Sequence, residues 1–248
     1  MSGVLIVTGA GRGIGAACAR AGGKRGYKVC VNYNTSAGSA QTIVDDIVKA
    51  GGQAIAVKAD VTTEAGVKNL FETADRELGT LTALVNNAGT ILPQGRVETC
   101  EADSLERLFK VNVISQFLCA REAIRRMSTK HGGKGGAIVN VSSVHSRLGA
   151  PGLFVSYAAT KGAIDTFTLG LGIEVAGEGI RVNAVRPGII NTDLHALGGD
   201  PQRAQRFGGT VPIGREGQPQ EVADAVMWLL SDTASYVVGA LVDVGGGR

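Results

Sequence analysis

Short β-branched apolar runs alternate along the chain with longer segments whose apolar positions recur at helical spacing. The runs Val4–Thr8, Lys28–Tyr33, Ala54–Lys58, Ala83–Asn86, Ala137–Ser142, Arg181–Val185 and Leu241–Val244 predict strands. Segments near 13–25, 36–50, 63–78, 102–129, 155–176 and 219–230 predict helices. Strands made almost wholly of Val, Ile, Leu and Ala are buried on both faces, which implies a parallel sheet covered by helices on each side. Seven such strands alternating with helices predict a doubly wound α/β fold with right-handed crossovers, in a single domain over 1–248.

Unusual residues collect in the loops that follow strands one, three, four, five and six. These are Thr8–Gly15, Asp60–Val61, Asn86–Gly89, Ser142–Ser143 and Pro187–Thr192. In open α/β sheets ligands sit beyond the carboxyl ends of the strands, so all five loops fall on one edge. The first reads Thr8-Gly9-Ala10-Gly11-Arg12-Gly13-Ile14-Gly15, between an apolar strand and an Ala-rich helix. Glycines there allow a sharp turn and let a pyrophosphate approach the amides of the helix N-terminus, as in a Rossmann dinucleotide site. The spacing is TGxxxGxG, through Gly9, Gly13 and Gly15, rather than GxGxxG.

Composition narrows the rest. A hydrophobic share of 44% and a charged share of 19% over 248 residues are those of an ordinary folded protein, but 37 glycines are about twice the usual ~7%. The net charge of +3 carries no basic block, which argues against nucleic acid as a partner. Cys18, Cys30, Cys100 and Cys119 show no metal-ligand spacing, and neither do His131, His145 and His195, so no metal site is expected. The first apolar run leads straight into the glycine loop, leaving no room for a signal peptide, and no stretch approaches a membrane span. A cytoplasmic protein with no membrane partner is the expectation.

Tyr157 and Lys161 are four apart and share one helix face. A phenol near pKa ~10 is a poor base at neutral pH, but a neighbouring ammonium favours the phenolate. A tuned Tyr could then give a proton to a carbonyl oxygen, or take one from an alcohol. These residues, with the glycine spacing, Asn86-Asn87-Ala88-Gly89, Tyr157-Ala158-Ala159-Thr160-Lys161 and Pro187-Gly188, resemble the short-chain dehydrogenase/reductase family over essentially the whole chain. The resemblance implies an NAD(P)(H)-dependent oxidoreductase that interconverts a carbonyl and an alcohol. It assigns the cofactor to Gly9, Arg12, Gly13, Ile14, Gly15, Asn32, Asp60, Val61, Asn86, Ala88, Gly89, Tyr157, Lys161, Pro187, Ile190 and Thr192. Within that set Asp60 and Val61 would hold the adenine, and Pro187, Ile190 and Thr192 would flank the nicotinamide. Tyr157 is its acid/base, Lys161 its partner, and Asn112 would hold a water in a proton relay. A serine bonds the substrate oxygen; the family's interval to the tyrosine is thirteen, whereas Ser143 lies fourteen before Tyr157, so Ser142 and Ser143 both stand, with Ser143 preferred.

The second strand ends Val31-Asn32-Tyr33-Asn34-Thr35-Ser36, without the carboxylate that would bind a ribose 2′-hydroxyl. Arg12 is placed to meet a 2′-phosphate instead, so NADP(H) is favoured and NAD(H) stays possible, the more so because Asn34 stands where a second basic residue is common. The helix 155–176 is small and apolar almost all round, which predicts burial on both faces and a homo-oligomer. Family resemblance implies a tetramer built on helices 102–129 and 155–176. A glycine-rich lid at about 189–213 would set specificity. Two substrate classes compete: a free sugar or small carbonyl compound, and a 3-oxoacyl chain on acyl-carrier protein. The second needs a basic docking face, for which Arg125, Arg126, Lys130 and Lys134 are candidates, but Glu178 stands where those reductases are often basic. A non-catalytic nucleotide sensor on the same fold is a more distant reading, opposed by the intact Ser, Tyr, Lys and Asn.

Overall fold

Seven strands form one sheet in the order β3-β2-β1-β4-β5-β6-β7, and every pairing is parallel, in a computed structural model that describes residues 3–248. The strands are β1 Val4–Val7, β2 Lys28–Tyr33, β3 Gln53–Lys58, β4 Leu81–Asn86, β5 Gly136–Val141, β6 Ile180–Pro187 and β7 Leu241–Val244. Alternation along each strand splits the core in two. Leu5, Val7, Val29 and Val31 face α1 (Gly13–Lys24), α2 (Ala37–Lys49) and, further along the sheet, α10 (Pro219–Leu230). Val4, Ile6 and Cys30 face the other layer, where α3 (Glu64–Leu78) contributes Leu70 and Phe71 and α5 (Ser115–Met127) contributes Cys119, Ala120 and Ala123. The chain is thus the doubly wound, two-faced Rossmann architecture that the alternation of patterns predicts. Its order reverses between β1 and β4, opening a crevice at the carboxyl edge.

Three details differ from the sequence reading. The strands β3, β4 and β6 run one, two and three residues longer than expected, while Thr8 and Ser142 lie just beyond their strands. The expected helix 102–129 is interrupted: α4 (Ala102–Phe109) passes through a π turn, Lys110–Ile114, before α5 begins. Such a turn inserts a residue and redirects side chains locally. Here it carries Asn112 inward, where its Oδ1 accepts from Thr90 N at 2.8 Å and its Nδ2 donates to Thr90 O at 2.9 Å. Short helices α6 (His145–Leu148), α8 (Leu194–Leu197) and α9 (Arg203–Gly208) fall in segments with too few residues to show periodicity. The long helix α7 (Val155–Val175) packs one side on β6 and α6.

Candidate active site

The carboxyl edge of the sheet opens into a cleft of about 320 Å³, within reach of the volumes that hold small ligands. It runs from Arg12, Tyr33, Asn34, Thr35 and Ser36 at one end to Ser143, Tyr157, Lys161 and His195 at the other. The glycine loop forms its floor. Gly9 (φ +61°) and Gly13 (φ +55°) take left-handed backbone conformations that L side chains rarely adopt. A Cβ on Gly15 would stand 2.4 Å from the Asn87 amide nitrogen and 2.7 Å from Gly9 O, so Gly15 permits close packing and does not line the cleft. The first turn of α1 leaves backbone N–H groups without intrahelical partners at this point, the arrangement that binds a pyrophosphate.

Asn32 and Asn86, both assigned to the cofactor by resemblance, use their amides within the protein. Asn32 Oδ1 accepts from Gly9 N at 3.1 Å, and its Nδ2 donates to Ala59 O at 3.0 Å. One side chain therefore ties the glycine loop to the end of β3. Asn86 Nδ2 donates to Asn140 Oδ1 at 3.0 Å beneath the cleft, and the residue does not line it. Asn87, which the motif contains but the sequence reading passed over, fastens the floor: its Nδ2 donates to Thr8 O at 2.9 Å and Gly9 O at 3.1 Å. Ala88, Gly89, Val61, Pro187, Ile190 and Thr192 line the cleft. Asp60 lines it too, with Oδ1 accepting from Thr62 N and Oγ1.

The chemical end is built from β5 and α7. Tyr157 and Lys161 share one face of α7, both almost wholly buried. Lys161 Nζ donates to Val141 O at 2.8 Å and stands 5.5 Å from the Tyr157 ring centroid. Burial pushes the Tyr157 phenol up to about 12, against a hydrogen bond from Ser143 that lowers it. The expected depression by Lys161 is therefore not what governs the phenol here; desolvation does. Burial brings the Lys161 ammonium down to about 8, and the Asp165 carboxylate opposes that fall. A protonated phenol beside an ammonium that still holds its proton, but gives it up more readily than an ordinary lysine, is the resulting state near neutrality.

The two serines separate cleanly. Ser142 Oγ donates to Asp165 Oδ1 at 2.6 Å, and Asp165 Oδ2 accepts from Arg186 Nε at 2.9 Å, so Ser142 belongs to a buried network beneath the site. Ser143 is the one that meets the phenol. Asn112 does not line the cleft; its Nδ2 donates to Thr160 Oγ1 at 3.1 Å, and Thr160 Oγ1 donates to Tyr157 O at 2.7 Å, so it braces α7 from behind. Among the described residues no cluster could hold a metal ion.

A family model described as Enoyl-(Acyl carrier protein) reductase matches residues 9–248. A solved Serratia marcescens short-chain dehydrogenase/reductase, in a double-mutant form, superposes with a TM-score of 0.90 at 33% identity, covering 99% of this chain and 97% of that one. The chain belongs to the short-chain dehydrogenase/reductase family. Within this family, Uncharacterized oxidoreductase YgfF of Escherichia coli is 51% identical over 245 residues, 99% of each chain. Glucose 1-dehydrogenase 2 of Bacillus subtilis is 38% identical over 242 residues, 98% of this chain and 93% of its own. The protein is accordingly an oxidoreductase of the short-chain dehydrogenase/reductase type, a family that works with nicotinamide nucleotides. No helix among the described residues is long and apolar enough to cross a membrane.

Proposed function

We propose that the protein interconverts a small free carbonyl compound or sugar and its secondary alcohol, with Tyr157 as the acid/base and NADP(H) as the preferred cofactor. The observation that carries the reading is the convergence of Ser143, Tyr157 and Lys161 at one end of a cleft whose other end is a glycine-loop helix N-terminus. Bound along that cleft, the dinucleotide would supply or accept the hydride. The chain's own residues do the rest. Ser143 orients the substrate oxygen toward the phenol, and Tyr157, protonated near neutrality, gives its proton to that oxygen as charge develops. Lys161 and the Asn112–Thr160 brace hold α7 in place behind it.

The preference for NADP(H) rests on Arg12, exposed at the start of α1 with a guanidinium that makes no hydrogen bond or ion pair among the described residues, and on Thr35 and Ser36 beside it. The carboxylates that line the cleft are Asp60, just beyond β3, and Asp193, on the segment after β6; neither lies at the end of β2, where a 2′-hydroxyl-binding carboxylate would stand. A small substrate is favoured over an acyl-carrier protein because three of the four basic candidates for a docking face are already held in ion pairs, Lys134 being the exception among the described residues. Arg125 pairs with Glu122, Arg126 with Asp75 and Glu122, and Lys130 with Glu178. The relative named as a glucose dehydrogenase supports the same choice.

The segment 189–213 would serve as the lid of a one-domain enzyme, acting in the reducing cytoplasm, where the buried thiols Cys18, Cys30 and Cys119 suit it. A homotetramer is supported by two separate apolar faces: Phe109, Ile114, Phe117, Leu169 and Ile173 along α4, the π turn, α5 and α7, and Trp228, Tyr236 and Val238 on α10 and beyond. The deciding experiment is Tyr157→Phe assayed on ketones and aldoses with both cofactors. Turnover should be lost while cofactor binding by fluorescence titration is kept; turnover within a few-fold of wild type refutes the assignment.

A further inference from the structure

Next to Tyr157, and behind the residues that line the cleft, the rings of three residues are packed in sequence. The His145 ring meets Tyr157 edge-on, with centroids 6.0 Å apart, and lies 6.2 Å from Phe154. Arg203, from the segment that follows β6, then lies over Phe154 with its guanidinium carbon 5.3 Å from the ring centroid. The Phe207 ring covers the guanidinium again, at 4.9 Å. Arg203 is only 8% exposed, and its guanidinium makes no hydrogen bond or ion pair among the described residues. The one carboxylate whose charge reaches it, Asp200, is drawn into a short ion pair with Arg206.

A guanidinium without an anion in so dry a place is costly, since burying charge costs free energy unless it is paired. Two aromatic rings lie within cation–π distance of it, and its N–H groups, left without a partner among the described residues, offer the parallel pair that matches a carboxylate. The surroundings add to the positive potential. Burial, and then the charges of Arg203, Arg248 and His195, hold the His145 imidazole down to about 4, which leaves it neutral as a hydrogen-bonding group near neutrality. The backbone N–H of His145 donates to Ser143 Oγ at 3.2 Å, so this corner adjoins the serine that meets the phenol.

We propose that Arg203 recognises a carboxylate on the substrate, making the natural substrate an oxo acid or the corresponding hydroxy acid. This rests on the carbonyl–alcohol reading above and narrows its substrate class. The test measures initial rates of wild type, Arg203→Met and Arg203→Lys with NADPH and NADH. Substrates are pyruvate, acetoacetate and levulinate, each paired with its methyl ester and joined by dihydroxyacetone phosphate. For at least one acid, wild type should show kcat/KM tenfold or more above its ester. Arg203→Met should remove that preference through KM while changing the ester less than threefold, and Arg203→Lys should restore part of it. Esters preferred throughout, equal losses on acid and ester, or preference for the phosphate ester would overturn the assignment. If no carbonyl is turned over at all, the carbonyl–alcohol reading fails by itself. Thermal protection by levulinate then decides the anion site: a rise in Tm for wild type but not for Arg203→Met upholds it, and equal behaviour of the two proteins overturns it.

Discussion

Lys161 is an ammonium in the wrong solvent, and its handicap should be measurable without any substrate. Burial brings its pKa from 10.5 down to about 8, so between those values the unfolded chain holds a proton that the folded chain has released. Stability must therefore rise with pH across that window, because the unfolded state binds more protons. The penalty is full below pH 8, at roughly 3 kcal/mol, and is gone above 10.5. From pH 7 to pH 10 the recovery is about 2.5 kcal/mol. Wild-type data alone would hide it. Cys18, Cys30, Cys119 and Tyr157 are all pushed up to about 12 by burial, and they subtract stability as the unfolded chain ionises in alkali. Lys161→Met removes the charge, keeps the length and leaves those groups in place. Its loss of the hydrogen bond to Val141 O displaces the curve more than it tilts it. Urea unfolding of both proteins, followed by circular dichroism at one protein concentration, gives the difference directly. Wild type should gain about 2.5 kcal/mol on the variant between pH 7 and pH 10. A difference flat to within about 0.5 kcal/mol would show that water reaches the ammonium and that the reasoning from burial is wrong.

The serines should part company when each is changed to alanine. Ser142→Ala strips a donor from buried Asp165 and should cost roughly 1–3 kcal/mol of stability, whereas Ser143→Ala should leave the unfolding midpoint nearly unchanged and lower kcat. Arg12→Ala should reduce kcat/KM with NADPH by about tenfold and with NADH by less than threefold; an unchanged ratio removes Arg12 from the site. Ile173→Glu, on the outward face of α7, should lower the mass seen by light scattering while circular dichroism stays native, and an unchanged mass would refute that face as an interface.

The fold could be read from the sequence because a parallel sheet buried on both sides writes its strands as near-continuous apolar runs, unbroken in β1 and interrupted only by Asn140 in β5. The cleft could be read because strand-end loops gather on one edge whatever the details of packing. Three features were not legible. The π turn at Lys110–Ile114 has the same apolar spacing as the α-helix around it, so only the pull of Thr90 on Asn112 shows why the register slips there. Whether Asn32 and Asn86 face ligand or protein depends on partners from β3, β5 and the glycine loop, distant in sequence. Which side of helix 155–176 faces outward was not legible either: Leu171 lies in the core and Phe167 stacks on Phe117 at 3.8 Å. Leu169 and Ile173 carry the outward face instead. A helix that is apolar all round gives no phase by which to tell the two sides apart.

The Asn32 clamp bears on how such a protein can change its diet of cofactors over generations. Because one inward amide sets the height of the glycine loop against β3, the loop's shape does not depend on the outward residues Arg12, Asn34, Thr35 and Ser36. Those four positions can be exchanged, in a lineage or in a library, without disturbing the turn that receives the pyrophosphate. A mutational route from one dinucleotide to the other therefore crosses the surface only, while Asn32 itself should tolerate almost nothing.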